Sequence, residues 1–389
     1  MIVGVPKESF PGEQRVALTP IVVPQLIKAG LDVLVETGAG VAAGFWDSDF
    51  IARGAKIASS RADVFAQAGI ITQVLCYGSN DKTGRADLPL FRKDQILIGF
   101  LRPLGDLEHV QEIAATGAIA FSVELMPRTT RAQSMDALSS MGTICGYKAV
   151  LLAAATVPRM FPMLTTAAGT IPPARVLVIG VGVAGLQAIA TARRLGAVVC
   201  GYDLRPVVKE QVQSLGAKFV ELPLEAKDAQ GARGYATAQD ETFYKRQREL
   251  LGRVVSESDA VISSAVIPGK KTPVLITADM VRSMTPGSVI VDLAGESGGN
   301  CELTRAKEDV LVNGVKIIGH INLASSVPYH ASQMYSRNLA AFLALLIKKS
   351  EPNIDLNDEI IRETLLTRGG EVVNSRVRDF FSLPRVEAK

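Results

Sequence analysis

The chain is poor in the side chains that most enzymes use to move protons or bind metals, with three histidines and four cysteines in 389 residues. The histidines are His109, His320 and His330, and Cys76, Cys145, Cys200 and Cys301 stand far apart. No C-x-x-C occurs, and no His/Cys/carboxylate cluster has metal-ligand spacing, so metal chemistry is unsupported. A nucleophile elbow of the G-x-S-x-G type is also missing, and covalent acyl chemistry with it. Scattered cysteines, three of them in or beside apolar runs, read as buried reduced thiols of a cytosolic protein.

Long hydrophobic runs are lacking. Leu339 to Ile347, the longest candidate, falls far short of the roughly 18 apolar residues a membrane span needs, and Lys348 and Lys349 follow it. The N-terminus has neither the basic region nor the apolar core of a signal peptide, so secretion is not expected. No excess of one charge exists either: 42 basic residues face 39 acidic ones, and the net charge of +3 is diffuse. Nucleic-acid binding therefore has no support. A hydrophobic share of 48% with 21% charged residues is globular, and 389 residues exceed one ordinary core, so two domains are expected.

What the sequence does have is Arg175-Val176-Leu177-Val178-Ile179-Gly180-Val181-Gly182-Val183-Ala184-Gly185, a buried strand running into G-x-G-x-x-G and then a helix. Gly180 permits the tight turn, Gly182 lets a pyrophosphate approach the backbone, and Gly185 allows close helix–strand packing. The helix N-terminus then faces the phosphates. A glycine triplet alone is weak in a chain with 34 glycines, but here a second strand, Ala197 to Tyr202, ends in Asp203. A carboxylate there accepts adenine-ribose hydroxyls and repels a 2′-phosphate, which favours NAD over NADP. Arg205 weakens that preference, because its guanidinium could pair with a phosphate.

Glycine recurs between helical and apolar stretches, as in Ala29-Gly30, Arg53-Gly54, Ala68-Gly69, Thr116-Gly117, Leu195-Gly196, Leu215-Gly216 and Asn313-Gly314, and reads as the left-handed helix cap before a strand. The expected fold class is α/β, with two doubly wound parallel-sheet domains joined by two long helices and a Rossmann-type domain inserted in a Rossmann- or flavodoxin-like one. The expected division is residues 1–138 with 329–389, and residues 139–328. Long helices are expected over Ser139 to Val157 and Ser332 to Lys348, with the cofactor in the cleft between domains. The loop from Pro223 to Asp240, with Gly234 and Tyr235, reads as a lid.

A dehydrogenase acting on an alcohol or amine needs an acid/base group, and candidates are few. His109 reads as a solvated helix residue and His330 as a cap or surface group. His320 closes a strand, where ligand crevices form, yet a structural role is the simpler account. The polar stretch holding Arg128, Gln133, Asp136 and Ser139 offers a cation, an amide, a carboxylate and a hydroxyl that could orient a nicotinamide without exchanging protons. Its alternative is a solvated loop with Asp136 or Ser139 as a helix cap.

These residues carry a resemblance. Pro6-Lys7-Glu8, Arg15-Val16-Ala17-Leu18-Thr19-Pro20, the Arg128–Asp136 stretch, the glycine fingerprint, Gly234-Tyr235-Ala236, Ile267-Pro268-Gly269-Lys270 and Glu296-Ser297-Gly298-Gly299-Asn300-Cys301 resemble the soluble NAD(H)-binding alpha component of proton-translocating nicotinamide nucleotide transhydrogenase. The resemblance implies hydride transfer between NADH bound here and NADP(H) on a beta subunit, with a membrane-spanning subunit moving the proton. It implies a homodimer, cytoplasmic and peripheral to the inner membrane through its partners. By the same resemblance Arg128, Gln133, Asp136 and Ser139 hold the nicotinamide, and Tyr235 belongs to the closing loop. The cofactor set is then Gly180, Gly182, Val183, Gly185, Asp203, Leu204, Arg205, Gly234, Tyr235 and Val266. Transfer between two nicotinamides needs no protein acid or base, which suits so few candidates.

Two other readings stay open. Alanine dehydrogenase shares the fold and the Arg15 region, but its pocket lysine and histidine are missing from Thr72–Cys76 and Phe100–Pro103. An NAD-sensing binding module would likewise need no catalytic base.

Overall fold

The structure, a computed structural model, describes residues 1–222, 239–267, 269 and 271–384. It comprises two compact units, Met1–Met141 with Ser325–Lys389, and Gly142–Ala324.

The chain opens with six parallel strands: β1 (Ile2–Val5), β2 (Asp32–Glu36), β3 (Lys56–Ala58), β4 (Ile70–Leu75), β5 (Ile96–Phe100) and β6 (Ile119–Ser122). All five residues of β5 are buried, the continuous apolar run expected where helices cover both faces of a parallel sheet. The helix Ala137–Thr156 then carries the chain into the second unit. By length and composition it is long and apolar enough to cross a membrane, which the sequence reading missed. Its Ala149, Val150 and Ala153 are fully buried in the core of the second unit beside Val176, Val178 and Ile189.

There a hairpin, β7 (Leu164–Thr166) and β8 (Gly169–Ile171), precedes β9 (Arg175–Ile179), β10 (Val198–Tyr202), β11 (Lys218–Phe219), β12 (Ala260–Ser263), β13 (Val289–Asp292), β14 (Asp309–Val312) and β15 (Val315–Ile318). The chain returns through Leu323–Ser326 into the helix Pro328–Leu346. A small pair, β16 (Ile347–Lys348) and β17 (Glu351–Pro352), follows, and β18 (Leu365–Arg368) and β19 (Glu371–Val372) join the first sheet.

Strand order is β19-β18-β6-β5-β4-β1-β2-β3 in the first sheet and β11-β10-β9-β12-β13-β15-β14 in the second. Each is doubly wound with a reversal of order, at β4/β1 and at β9/β12, where crevices open beyond the strand carboxyl ends. The edges depart from a wholly parallel arrangement: β18 runs antiparallel to β6, and β14 antiparallel to β15. The β14–β15 link explains a misread glycine. Asn313 and Gly314 both have positive φ, as a two-residue hairpin turn requires, so Asn-Gly here joins strands instead of ending a helix. Gly69 likewise has no positive φ, because the preceding helix already ends with Ala68 in extended backbone.

At the β4/β1 switch, the half-buried Glu8 carboxylate accepts from the N–H groups of Val74 (2.6 Å) and Leu75 (3.1 Å). Burial, with the Glu13 carboxylate adding to it, raises its pKa from 4.5 to about 8 against the pull of those N–H groups and of Arg15. The folded chain thus binds this proton more tightly than the unfolded one. That stabilisation is full below the unfolded pKa and is lost as pH rises towards about 8. Glu8→Gln, which cannot ionise, is expected to flatten the fall in Tm between pH 5 and pH 8. Parallel melting curves for the two proteins across that range would contradict this account.

Candidate dinucleotide site

The second unit builds its crevice from the β9/β12 reversal. Gly180 leaves β9 with φ +84°, and a Cβ there would lie 2.7 Å from the Ala265 nitrogen. Gly185 sits one helical turn on, where a Cβ would come within 2.0 Å of the Gly180 carbonyl oxygen. Gly182 is the opposite case: among the described residues, and leaving out its chain neighbours, no heavy atom lies within 4 Å of its Cβ position. It caps the helix Val183–Arg194 without a side-chain bond, so the first N–H groups of that helix have no intrahelical partner. This geometry fits a bound pyrophosphate: open space over Gly182, backbone donors behind it and the positive end of a helix dipole. Val183 is 38% exposed and Val266, in the loop after β12, is 40% exposed.

Neighbouring segments hold the turn in place. The Ser264 hydroxyl donates to the Gly180 carbonyl at 2.8 Å. Fully buried Asn300 donates to the carbonyls of Ala265 (2.9 Å) and Pro273 (3.0 Å) and accepts from the Ala265 N–H at 3.0 Å. Buried Asp292 accepts from Ser263, Ala294, Cys301 and Thr304, pinning the Glu296–Cys301 stretch. In the sequence this stretch stands out only by resemblance, and its work as the scaffold of the turn is missed. The available signal was an Asn after two glycines, a polar residue in an apolar, tightly turning context.

Asp203 ends β10, with its side chain 6% exposed. One oxygen accepts from the Val181 N–H (2.7 Å) and Arg205 Nη2 (2.9 Å), the other from Arg205 N and Nε, both at 2.9 Å. Leu204 is half-buried against the core. Gly234 and Tyr235 lie outside the described residues, as do Pro268 and Lys270.

In the first unit, Thr130–Met135 forms a 3-10 helix directly before the crossing helix. Asp136 links the two: its carboxylate accepts from the Ser139 N–H at 2.8 Å and the Ser139 hydroxyl at 2.6 Å. This is N-cap geometry, so the cap reading of Asp136 is realised, and the carboxylate and hydroxyl are brought together. Arg128 and Gln133 are exposed, and Gln133 meets Asp136 through a backbone bond of 3.3 Å. Buried Ala132 and Met135 anchor the segment, Asn338 donates to the Ser134 carbonyl at 2.8 Å, and Arg131 forms a two-point pair with Asp358.

Each histidine has a ring or carboxylate neighbour. His109 lies edge-on to Tyr77, His330 stands beside Tyr329, and His320 pairs with Asp309 of the edge strand at 2.9 Å. Among the described residues, no three His, Cys, Asp or Glu side chains gather as metal ligands.

Fold and fingerprint together define a Rossmann-type nucleotide-binding oxidoreductase. Residues 4–145 match the family model for the alanine dehydrogenase/PNT N-terminal domain and residues 149–375 that for its C-terminal domain. The chain is 46% identical over 377 residues to the first of the polypeptides that make up the NAD(P) transhydrogenase alpha subunit of Rhodospirillum rubrum, covering 96% of this chain and 98% of that one. A solved transhydrogenase from Sinorhizobium meliloti is similar with TM-score 0.83 and 40% identity, over 97% of this chain and all of that one. A solved L-alanine dehydrogenase gives TM-score 0.79 at 25% identity, over 98% and 99%. The chain belongs to the alanine dehydrogenase/PNT family, on its transhydrogenase alpha-subunit side.

Proposed function

We propose that this chain is the NAD(H)-binding component of a proton-translocating transhydrogenase. The reaction is direct hydride transfer from NADH here to NADP on a beta subunit, with the proton moved by a membrane-spanning subunit. The observation that carries this reading is 46% identity, over 96% of this chain, to a transhydrogenase alpha-subunit polypeptide. The fingerprint turn holds the pyrophosphate, and Asp203 accepts the adenosine ribose. Arg128, Gln133, Asp136 and Ser139 fix the nicotinamide ring so that a second nicotinamide can meet it, and neither step asks a side chain for a proton. Tyr235 and Gly234 close over the nucleotide. The chain acts as a homodimer on the cytoplasmic side of the membrane, and the exposed Met160, Met163, Leu164 and Ile171 near the hairpin supply apolar surface for a second copy.

One observation weighs against alanine chemistry. Arg15, in the region shared with alanine dehydrogenases, is 3% exposed and commits two nitrogens to Glu13, Nε at 2.7 Å and Nη2 at 2.5 Å. A guanidinium fork engaged in this way does not offer both prongs to a substrate carboxylate. The test is a fluorescence titration with NADH alongside an assay of NADH oxidation with pyruvate and ammonium. Binding without oxidation is expected; turnover by the chain alone would establish the alanine reading instead.

A further inference from the structure

An ionised carboxylate has about four lone-pair positions for hydrogen bonds, and those of Asp203 are all in use. Val181 N–H and Arg205 Nη2 occupy one oxygen, and Arg205 N–H and Nε the other, at 2.7–2.9 Å. Arg205 Nη2 also reaches the Val181 carbonyl at 3.2 Å, so the guanidinium ties the strand end to the fingerprint turn. The paired side chains are 12% and 6% exposed. A ribose diol that donates to Asp203 must therefore displace two donors. The two backbone donors belong to the main chain, Val181 in the fingerprint turn and Arg205 at the start of the short 3-10 helix Pro206–Val208, which leaves the guanidinium as the group that can go.

From this geometry we propose that Arg205 is a latch on the adenosine-ribose position, closing Asp203 in the free protein and swinging off it when NAD(H) binds. The inference rests on the reading that Asp203 accepts the ribose. Two consequences follow from the chemistry. The latch competes with the ribose, so it lowers the affinity for NAD(H). Once released, its cation stands near the ribose 2′ position, where it offsets the repulsion between Asp203 and a 2′-phosphate. Discrimination between the two nucleotides is then set by the pair and not by the carboxylate alone.

The experiment is fluorescence titration of the full chain, its Arg205→Ala variant and its Arg205→Lys variant with NADH and with NADPH. Arg205→Ala is expected to bind NADH about fivefold tighter and NADPH no tighter, which raises the selectivity ratio at least about fivefold. Arg205→Lys, which keeps the charge but not the planar fork, should fall between. Should Arg205→Ala not fold, Arg205→Gln and the lysine variant carry the comparison. Equal weakening of both nucleotides would reduce Arg205 to a structural clamp on the turn and overturn the latch, as would an unchanged ratio. Wild-type protein that binds NADH while the variants leave its selectivity untouched removes the latch alone. Wild-type protein that binds no NADH removes the functional reading and the latch together.

Discussion

Gly185→Ala is expected to abolish NADH binding and to destabilise the second unit. The added methyl would sit 2.0 Å from the Gly180 carbonyl oxygen and 3.4 Å from a Val178 methyl, so backbone, and not a flexible side chain, has to move. A helix shifted off β9 carries its N-terminus and Gly182 with it, and the donors of the turn lose their aim. Overpacking against backbone in a tight core costs about 3 kcal/mol or more, and the corresponding loss in nucleotide affinity is about a hundredfold or greater. Gly182→Ala is the informative comparison. Its methyl meets nothing within 4 Å among the described residues beyond its chain neighbours, so folding should be unaffected and only nucleotide binding should suffer. Calorimetric melting with an NADH titration separates the two. Equal Tm losses for both variants would show that Gly182 is not placed for a ligand.

Asp136→Asn is the second large effect. Asparagine caps helices about as well as aspartate, and its carbonyl oxygen can still accept the Ser139 N–H that Asp136 accepts at 2.8 Å. The helix should therefore stand, and NADH affinity should stay within a few-fold. The second carboxylate oxygen, which accepts from the Ser139 hydroxyl at 2.6 Å, is replaced by a donor, so that hydroxyl must turn. If these two groups orient the nicotinamide, hydride transfer falls about a hundredfold at saturating nucleotide. Asp136→Ala should add the loss of the cap, roughly 1 kcal/mol of stability. Matching losses in NADH affinity and in rate would mean that Asp136 serves binding or folding and not orientation.

The parts legible in the sequence are those coded locally. The run from Arg175 to Gly185 carries its own strand, turn and helix start, and β5 announces itself by unbroken apolar residues, whereas the three-residue β3, opened by Lys56, carries too short an apolar run to stand out. The reduced hydrogen-bonding freedom of Asp203 was not legible, because it depends on the Val181 N–H coming 22 residues back along the chain to meet it. The clasp on the candidate nicotinamide loop is more remote still, since Arg131 and Asp358 are 227 residues apart and Asn338 and Ser134 are 204 apart. The antiparallel β18 was invisible for a related reason: its register with β6 is set by tertiary pairing, through a bulge between Leu365 and Thr367. Asn313-Gly314 was misread because glycine ends helices and turns hairpins by the same positive φ, and only the partner strand decides which.

On the proposed function, this chain presents NADH to a second nicotinamide held by another subunit. The most direct measurement is hydride transfer from NADH to an acetylpyridine analogue of NADP, with this chain alone, the NADP-binding transhydrogenase component alone, and the two mixed. Transfer is expected in the mixture only. A mixture in which NADH is bound but no hydride passes would contradict it and favour an NAD-sensing module.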